Sequence, residues 1–144
     1  MKAVIQRVKR ATVTAGERSA GIGPGLLVLA GLEAGDGEAQ CLWAAAKIAG
    51  LRVFEDAEGR MNCGLQEVGG AVLAVSQFTL AGSIAKGRRP SFDQAMAPDL
   101  ARPLFDRFIA ALRAEGCRVE TGFFQETMEV ELVNDGPATF ILER

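Results

Sequence analysis

Gly25-Leu26-Leu27-Val28-Leu29-Ala30-Gly31-Leu32-Glu33-Ala34-Gly35-Asp36 is the stretch on which the fold turns. Five consecutive apolar residues leave no polar face, so Leu26 to Ala30 suits a central strand covered on both sides. Asp36 stands where an N-cap belongs, ahead of the helix formers between Glu38 and Ala49, and Gly50 closes the segment. A central strand is thus followed at once by a helix.

Upstream, Ala3, Ile5 and Val8 mark a strand-like start, and Ala11 to Ala15 is a second β-branched stretch, with Gly16 and Gly21 to Gly25 as punctuation. Downstream, Arg52-Val53-Phe54 reads as a short strand and Asp56 to Gly59 as a polar turn. Ala71 to Leu80 reads as a buried strand carrying the polar insertion Ser76-Gln77. Residues 81–98 lack periodicity and hold Gly82, Gly87, Pro90 and Pro98, which predicts a long loop. Leu100, Leu104, Phe108 and Leu112, widened by Phe105 and Ile109, predict a second helix that starts near Pro98 and Pro103 and stops at Gly116. Met128, Val130 and Leu132 alternate with Glu129 and Glu131, then come a turn at Asn134-Asp135-Gly136-Pro137 and a last strand from Ala138 to Leu142.

With 144 residues, 49% hydrophobic and 24% charged, the chain can bury an ordinary core as one domain over residues 1–144, without metal or disulfide staples. Seventeen glycines favour many turns and short strands. Histidine and tyrosine are both absent, which excludes Ser-His-Asp and Cys-His mechanisms, histidine-ligated zinc and tyrosine acid–base chemistry. Cys41, Cys63 and Cys117 are odd in number and widely spaced, as reduced, mostly buried thiols would be. Lys2, Arg7, Lys9 and Arg10 interrupt the opening too early for a signal peptide and no run suits a membrane span, so the expected compartment is the cytoplasm. A net charge of −2 gives no general attraction to nucleic acid. A polyanion would need one of two local patches, the N-terminal bases or Lys86-Gly87-Arg88-Arg89.

Two polar residues inside an apolar strand must find partners or mark the point where it emerges at a surface, which makes Ser76-Gln77-Phe78-Thr79 a candidate site. Gly136-Pro137 can present two neighbouring carbonyls in a rigid corner. Taken singly, these segments also look like a strand end and a generic turn.

Together, SQFTL at 76–80, KGRRPSF at 86–92 and NDGPATF at 134–140, with MKAVIQRV at the start and GLLVLAGLEAGD at 25–36, resemble the D-aminoacyl-tRNA deacylase family over essentially the whole chain. The resemblance implies an α/β fold, a small β-barrel-like domain of antiparallel and mixed sheet with two main helices, assembled as a homodimer. It implies hydrolysis of the ester between a D-amino acid and tRNA, with no cofactor, no metal, no DNA and no membrane partner. Ser76, Gln77, Phe78 and Thr79 take the catalytic positions, Thr79 matching a threonine once considered a nucleophile. Gly136 and Pro137 are implied to form a cis corner that enters the other subunit's pocket and decides chirality, supported by Arg7, Asn134 and Thr139. Lys86, Arg88 and Arg89 are the expected tRNA contacts.

This chemistry agrees with the missing imidazole. An aminoacyl ester is already activated, so orientation and main-chain donors near Gln77 and Phe78 can suffice, with the substrate's ribose hydroxyl helping to activate water. An exclusion-only filter for L side chains would also admit glycyl-tRNA. The sequence departs from the family pattern at Ala81-Gly82-Ser83 and at Phe124-Gln125-Glu126, which bears on the pocket rim. Two alternatives stand beside this reading: an RNA-binding barrel without catalysis, and an esterase built on Cys63 or Ser76.

Overall fold

A computed structural model describes all 144 residues. Its strands are β1 (Lys2–Ala15), β2 (Arg18–Ile22), β3 (Gly25–Gly31), β4 (Phe54–Glu55), β5 (Met61–Cys63), β6 (Ala71–Ser76), β7 (Val119–Thr121) and β8 (Glu129–Glu143), and its two helices are α1 (Glu38–Ala49) and α2 (Pro98–Ala114). β1 organises the sheet. One edge pairs antiparallel with β3 over Lys2 to Val8 and then with β2 over Ala11 to Ala15, while the other edge pairs with β8 along almost its full length. β3 runs parallel to β6, and β6 parallel to β7. Because β2 folds back against β6 and β7 without pairing to them, the mixed sheet is nearly closed and barrel-like.

The apolar run at 26–30 lacks alternation because both of its faces are covered. Leu26, Val28 and Ala30 join Val72 and Ala74 of β6 in a core capped by α1 and α2, whereas Leu27 packs with Leu73, Val75, Val8 and Val13 inside the barrel. Fully buried Phe108 and Leu112 of α2 and Ile48 of α1 fill the helix side. β3 also runs tight against its neighbour: a methyl group built on Gly25 would lie 1.9 Å from the Ala71 carbonyl oxygen.

Five local expectations are corrected. The two stretches at 3–8 and 11–15 form one continuous strand, with irregular pairing around Val8; Val8 faces the barrel by ordinary alternation from Ala3 and Ile5 on the helix side, and the irregularity brings Ala11 and Val13, of the same parity as Ala3 and Ile5, to the barrel side as well. Gly37, not Asp36, caps α1: its N–H donates to Gln40 Oε1 at 3.0 Å, while the Asp36 carboxylate accepts from the Glu33 N–H at 2.7 Å. The buried stripe of α2 is rotated from the expected one, running through Ala101, Phe105, Phe108, Ile109 and Leu112 and leaving Leu100 exposed. The strand expected over 71–80 ends at Ser76. Asn134 to Pro137 does not reverse the chain, because β8 keeps pairing with β1 on both sides of it. The short strands β2, β5 and β7 carry no periodic signal long enough to be read from the sequence. No helix is long and apolar enough to cross a membrane.

Candidate active site

β6 delivers Ser76 opposite Ala30 of β3, and the Gln77 N–H donates to the Ala30 carbonyl at 2.8 Å. There the ladder stops. Phe78 to Ala81 turn into a single 3-10 helix, closed by Leu80 N–H to the Gln77 carbonyl at 3.2 Å and Gly82 N–H to the Thr79 carbonyl at 3.0 Å. The turn fits because Gly31 lies under it; a methyl there would sit 2.8 Å from the Gln77 oxygen and 2.9 Å from Leu80 Cβ. A 3-10 turn leaves its first amides unpaired, and the N–H groups of Phe78 and Thr79 find no acceptor within the chain. Of the donors expected near Gln77 and Phe78, therefore, the Gln77 amide is spent on the sheet and the next two are free. The Gln77 side-chain amide donates to Thr79 Oγ1.

Beside this turn lies a cleft of about 700 Å³. Ser76, Gln77 and Phe78 form one wall, and Phe92, Met96, Phe105, Phe124 and Met128 supply much of the remainder. Thr79, though adjacent in sequence, does not line it. The one titratable side chain in the lining is Glu126, whose carboxylate pairs with Arg18. Phe78 is 58% exposed, and its ring packs on Phe92 with centroids 5.1 Å apart. The Ala81-Gly82-Ser83 departure has a steric basis, since a methyl on Gly82 would lie 2.8 Å from the Phe92 ring. Phe105, Met96 and Met128 were not singled out from sequence as site residues; apolar residues on a helix and in loops give no signal that separates a cleft wall from core.

The basic loop is brought close to the cleft mouth without entering it. Ser83 and Ser91 exchange backbone hydrogen bonds at 2.8 and 3.0 Å, which closes the loop and seats Phe92 at the rim. Lys86, Arg88 and Arg89 are exposed, form no ion pair and do not line the cleft.

The second signature forms a separate constellation. Asn134 pairs with Val8 and Thr139 with Gln6, so residues 135–138 bulge out opposite Arg7 alone. The Gly136-Pro137 peptide is cis, and Gly136 has a φ of +137°. Arg7 is 4% exposed. It donates from Nε to the Asp135 carbonyl at 2.8 Å and from Nη to the Val53 carbonyl at 2.5 Å, with the carboxylates of Glu55 and Asp135 at 3.8 and 3.9 Å. Asn134 Oδ1 accepts from the Ala138 N–H at 2.7 Å, and its Nδ2 donates to Thr139 Oγ1 at 3.1 Å. Gln6 Nε2 donates to the same hydroxyl at 3.2 Å. The corner is tied at both ends, yet Gly136 and Pro137 are exposed and do not line the cleft of their own chain.

The cysteines are free. Burial is the first cause pushing the thiols of Cys41 and Cys117 up from their ordinary value, which keeps both protonated at neutral pH.

The sequence profile of the D-Tyr-tRNA(Tyr) deacylase family matches residues 4–143. A D-aminoacyl-tRNA deacylase of Pelobacter propionicus is 59% identical over 145 residues, covering all of both chains. One of Symbiobacterium thermophilum is 58% identical, covering 99% of this chain and 95% of its own. Among solved structures, a chain described as c-Myc DNA Unwinding Element Binding Protein superimposes with a TM-score of 0.93 at 38% identity, covering 100% of this chain and 99% of its own. A probable eukaryotic D-amino acid tRNA deacylase, 20% identical, shares the fold with a TM-score of 0.84 over 98% of this chain and 97% of its own. The profile match and the full-length identities agree with the two signature segments: the chain belongs to the D-Tyr-tRNA(Tyr) deacylase family.

Proposed function

We propose that the protein, acting as one domain over residues 1–144, hydrolyses the ester between a D-amino acid and the terminal ribose of tRNA, releasing both. The observation that carries this reading is the pair of unpaired amides at Phe78 and Thr79, at the end of the strand that supplies one wall of a cleft holding no basic side chain. In acyl transfer, charge develops on the carbonyl oxygen, and each preorganised amide aimed at it is worth about 2.7–4 kcal/mol. Ser76, Gln77, Phe78 and Thr79 form the catalytic segment, with Gln77 and Thr79 fixing its shape through their mutual hydrogen bond. With no histidine in the chain, the hydroxyl of the substrate's own ribose assists the attacking water. A terminal 2′-deoxy tRNA turned over at the normal rate would remove the ribose from the mechanism.

Chirality is read by a second copy of the chain, as a homodimer, whose Gly136-Pro137 corner enters the cleft and occupies the space an L side chain would need. Support comes from the exposure of the corner, its absence from the lining of its own cleft, and its ties through Arg7, Asn134 and Thr139. A wall that works by exclusion alone has nothing to reject in glycine, so glycyl-tRNA is also a substrate. Lys86, Arg88 and Arg89 contact the tRNA backbone near the cleft mouth, and the reaction takes place in the cytoplasm.

Incubation of the purified protein with D- and L-aminoacyl-tRNA tests the whole reading. D-selective release is expected; equal release of both enantiomers, or binding without release, would refute it.

A further inference from the structure

A second concavity, of about 500 Å³, opens where the nearly closed sheet leaves a gap, between α2, the start of β2 and the segment after β7. Phe105, Phe124 and Glu126 line both it and the catalytic cleft, so the two share a wall. Three guanidinium groups reach it. Arg18 lies over the Phe123 ring, 4.5 Å from its centroid, and Arg102 over the Phe124 ring at 4.8 Å. Arg113 spends one N–H on the Val119 carbonyl at 3.0 Å.

Arg102 and Arg113 are eleven residues apart, about three turns of α2, which puts them on one face and separates them by roughly 16 Å along the axis. That is a track rather than a pocket for one anion. Two acids, Asp106 and Glu126, also line it. Glu126 is occupied by Arg18, which leaves Arg102 and Arg113 as the cations with no carboxylate in ion-pair contact. The Arg102 guanidinium, over the Phe124 ring and without an ion-pair partner, and the remaining N–H groups of Arg113 match the phosphate oxygens of an RNA strand.

We propose that this concavity is the subsite for the single-stranded 3′ end of the tRNA, with Arg102 and Arg113 meeting backbone phosphates as the strand leaves the cleft along the Phe105–Phe124 wall. The inference rests on the deacylase reading, because a polynucleotide whose terminal ester lies beside Phe78 needs an exit from the cleft. It names positioning residues for the substrate, distinct from the loop cations at 86–89.

The Arg102 side chain makes no hydrogen bond in the protein, so Arg102→Ala and the charge reversal Arg102→Glu probe the subsite with little effect on folding. Steady-state rates are compared on D-aminoacyl-tRNA and on D-aminoacyl-adenosine, which carries the ester and no phosphate. Loss of one charged hydrogen-bonded contact should raise KM for the tRNA about tenfold with kcat little changed, and more for the reversal. The salt dependence of tRNA binding should become shallower by about 0.7 in the logarithmic slope. A loss confined to the tRNA substrate supports the subsite. Equal losses on both substrates, or none on either, overturn it. A wild-type protein that cleaves neither substrate takes down the deacylase reading and this inference with it, whereas normal wild-type turnover with unaffected variants takes down the inference alone.

Discussion

Arg7→Lys separates charge from geometry at the Gly136 corner. Arginine bridges two carbonyls on different elements, Asp135 in β8 and Val53 just before β4, at 2.8 and 2.5 Å. A lysine ammonium is a single point at the end of a flexible stem and reaches one of them. The other carbonyl then stays unpaired in a place where the arginine was 4% exposed, at a cost of about 1–3 kcal/mol. Taking about 2 kcal/mol and a fall of about 2–4 °C per kcal/mol for a chain near 150 residues, the thermal midpoint should drop by about 4–8 °C. Urea denaturation should show a lower midpoint at an unchanged m-value. The same variant should lose discrimination before it loses turnover, because the free amides at Phe78 and Thr79, the proposed donors, do not touch Arg7. The assay is the ratio of kcat/KM on D- and L-aminoacyl-tRNA. If Arg7→Lys keeps both its midpoint and its D/L ratio, the guanidinium fork is not what holds the corner, and the argument from its two hydrogen bonds is wrong.

Three further outcomes follow from the geometry. Gly82→Ala sets a methyl 2.8 Å from the Phe92 ring and 2.9 Å from the Thr79 carbonyl, so it should cost about 1–3 kcal/mol in denaturant titrations and raise KM as Phe92 leaves Phe78. Backbone N–H groups of Arg60 and Glu58, the former first, hold the Asp56 carboxyl below its ordinary value. Its stabilising effect is therefore complete at neutral pH and disappears as pH falls through the folded-state value, so Asp56→Asn should be less stable than wild type near pH 7 and converge with it in acid; a gap independent of pH would contradict this. Alkylation at neutral pH should leave turnover intact, because Cys41 and Cys117 are buried and protonated and no cysteine lines the cleft; inactivation would revive the thiol-esterase alternative.

The central strand and both helices were legible because their signals are local: an unbroken apolar run, a segment of helix formers closed by Gly50, and a stripe at helical spacing. Leu100 misled because the periodicity of a helix defines a stripe of some width, and packing chooses which side of it faces inward. Asn134 to Pro137 carries every residue preference of a reversing turn. What keeps it in the strand is register with β1 on both sides and a buried arginine more than a hundred residues away, which no local pattern records. At the site, SQFTL was readable as polar residues in the wrong place. Which amides remain free depended on where the ladder ended, a matter of the contact with Ala30 and Gly31. The second concavity was hidden for the same reason, since Arg18 and Arg102 lie far apart in the chain and meet only when the barrel fails to close.

The close backbone approaches at the two ends of β3 have a consequence for tolerance to change. A strand that is greasy on both sides has no polarity to tell it where to stop, and sliding by one residue would merely exchange one apolar face for another. Here the end-stops are steric. Gly25 abuts the Ala71 carbonyl at one end and Gly31 abuts Gln77 at the other, so a slide in either direction drives a side chain into main chain. The free amides of Phe78 and Thr79 are thereby gauged by a seven-residue ruler with a bare notch at each end, and the interior leucines and valines can be reshuffled for volume while the notches cannot be filled.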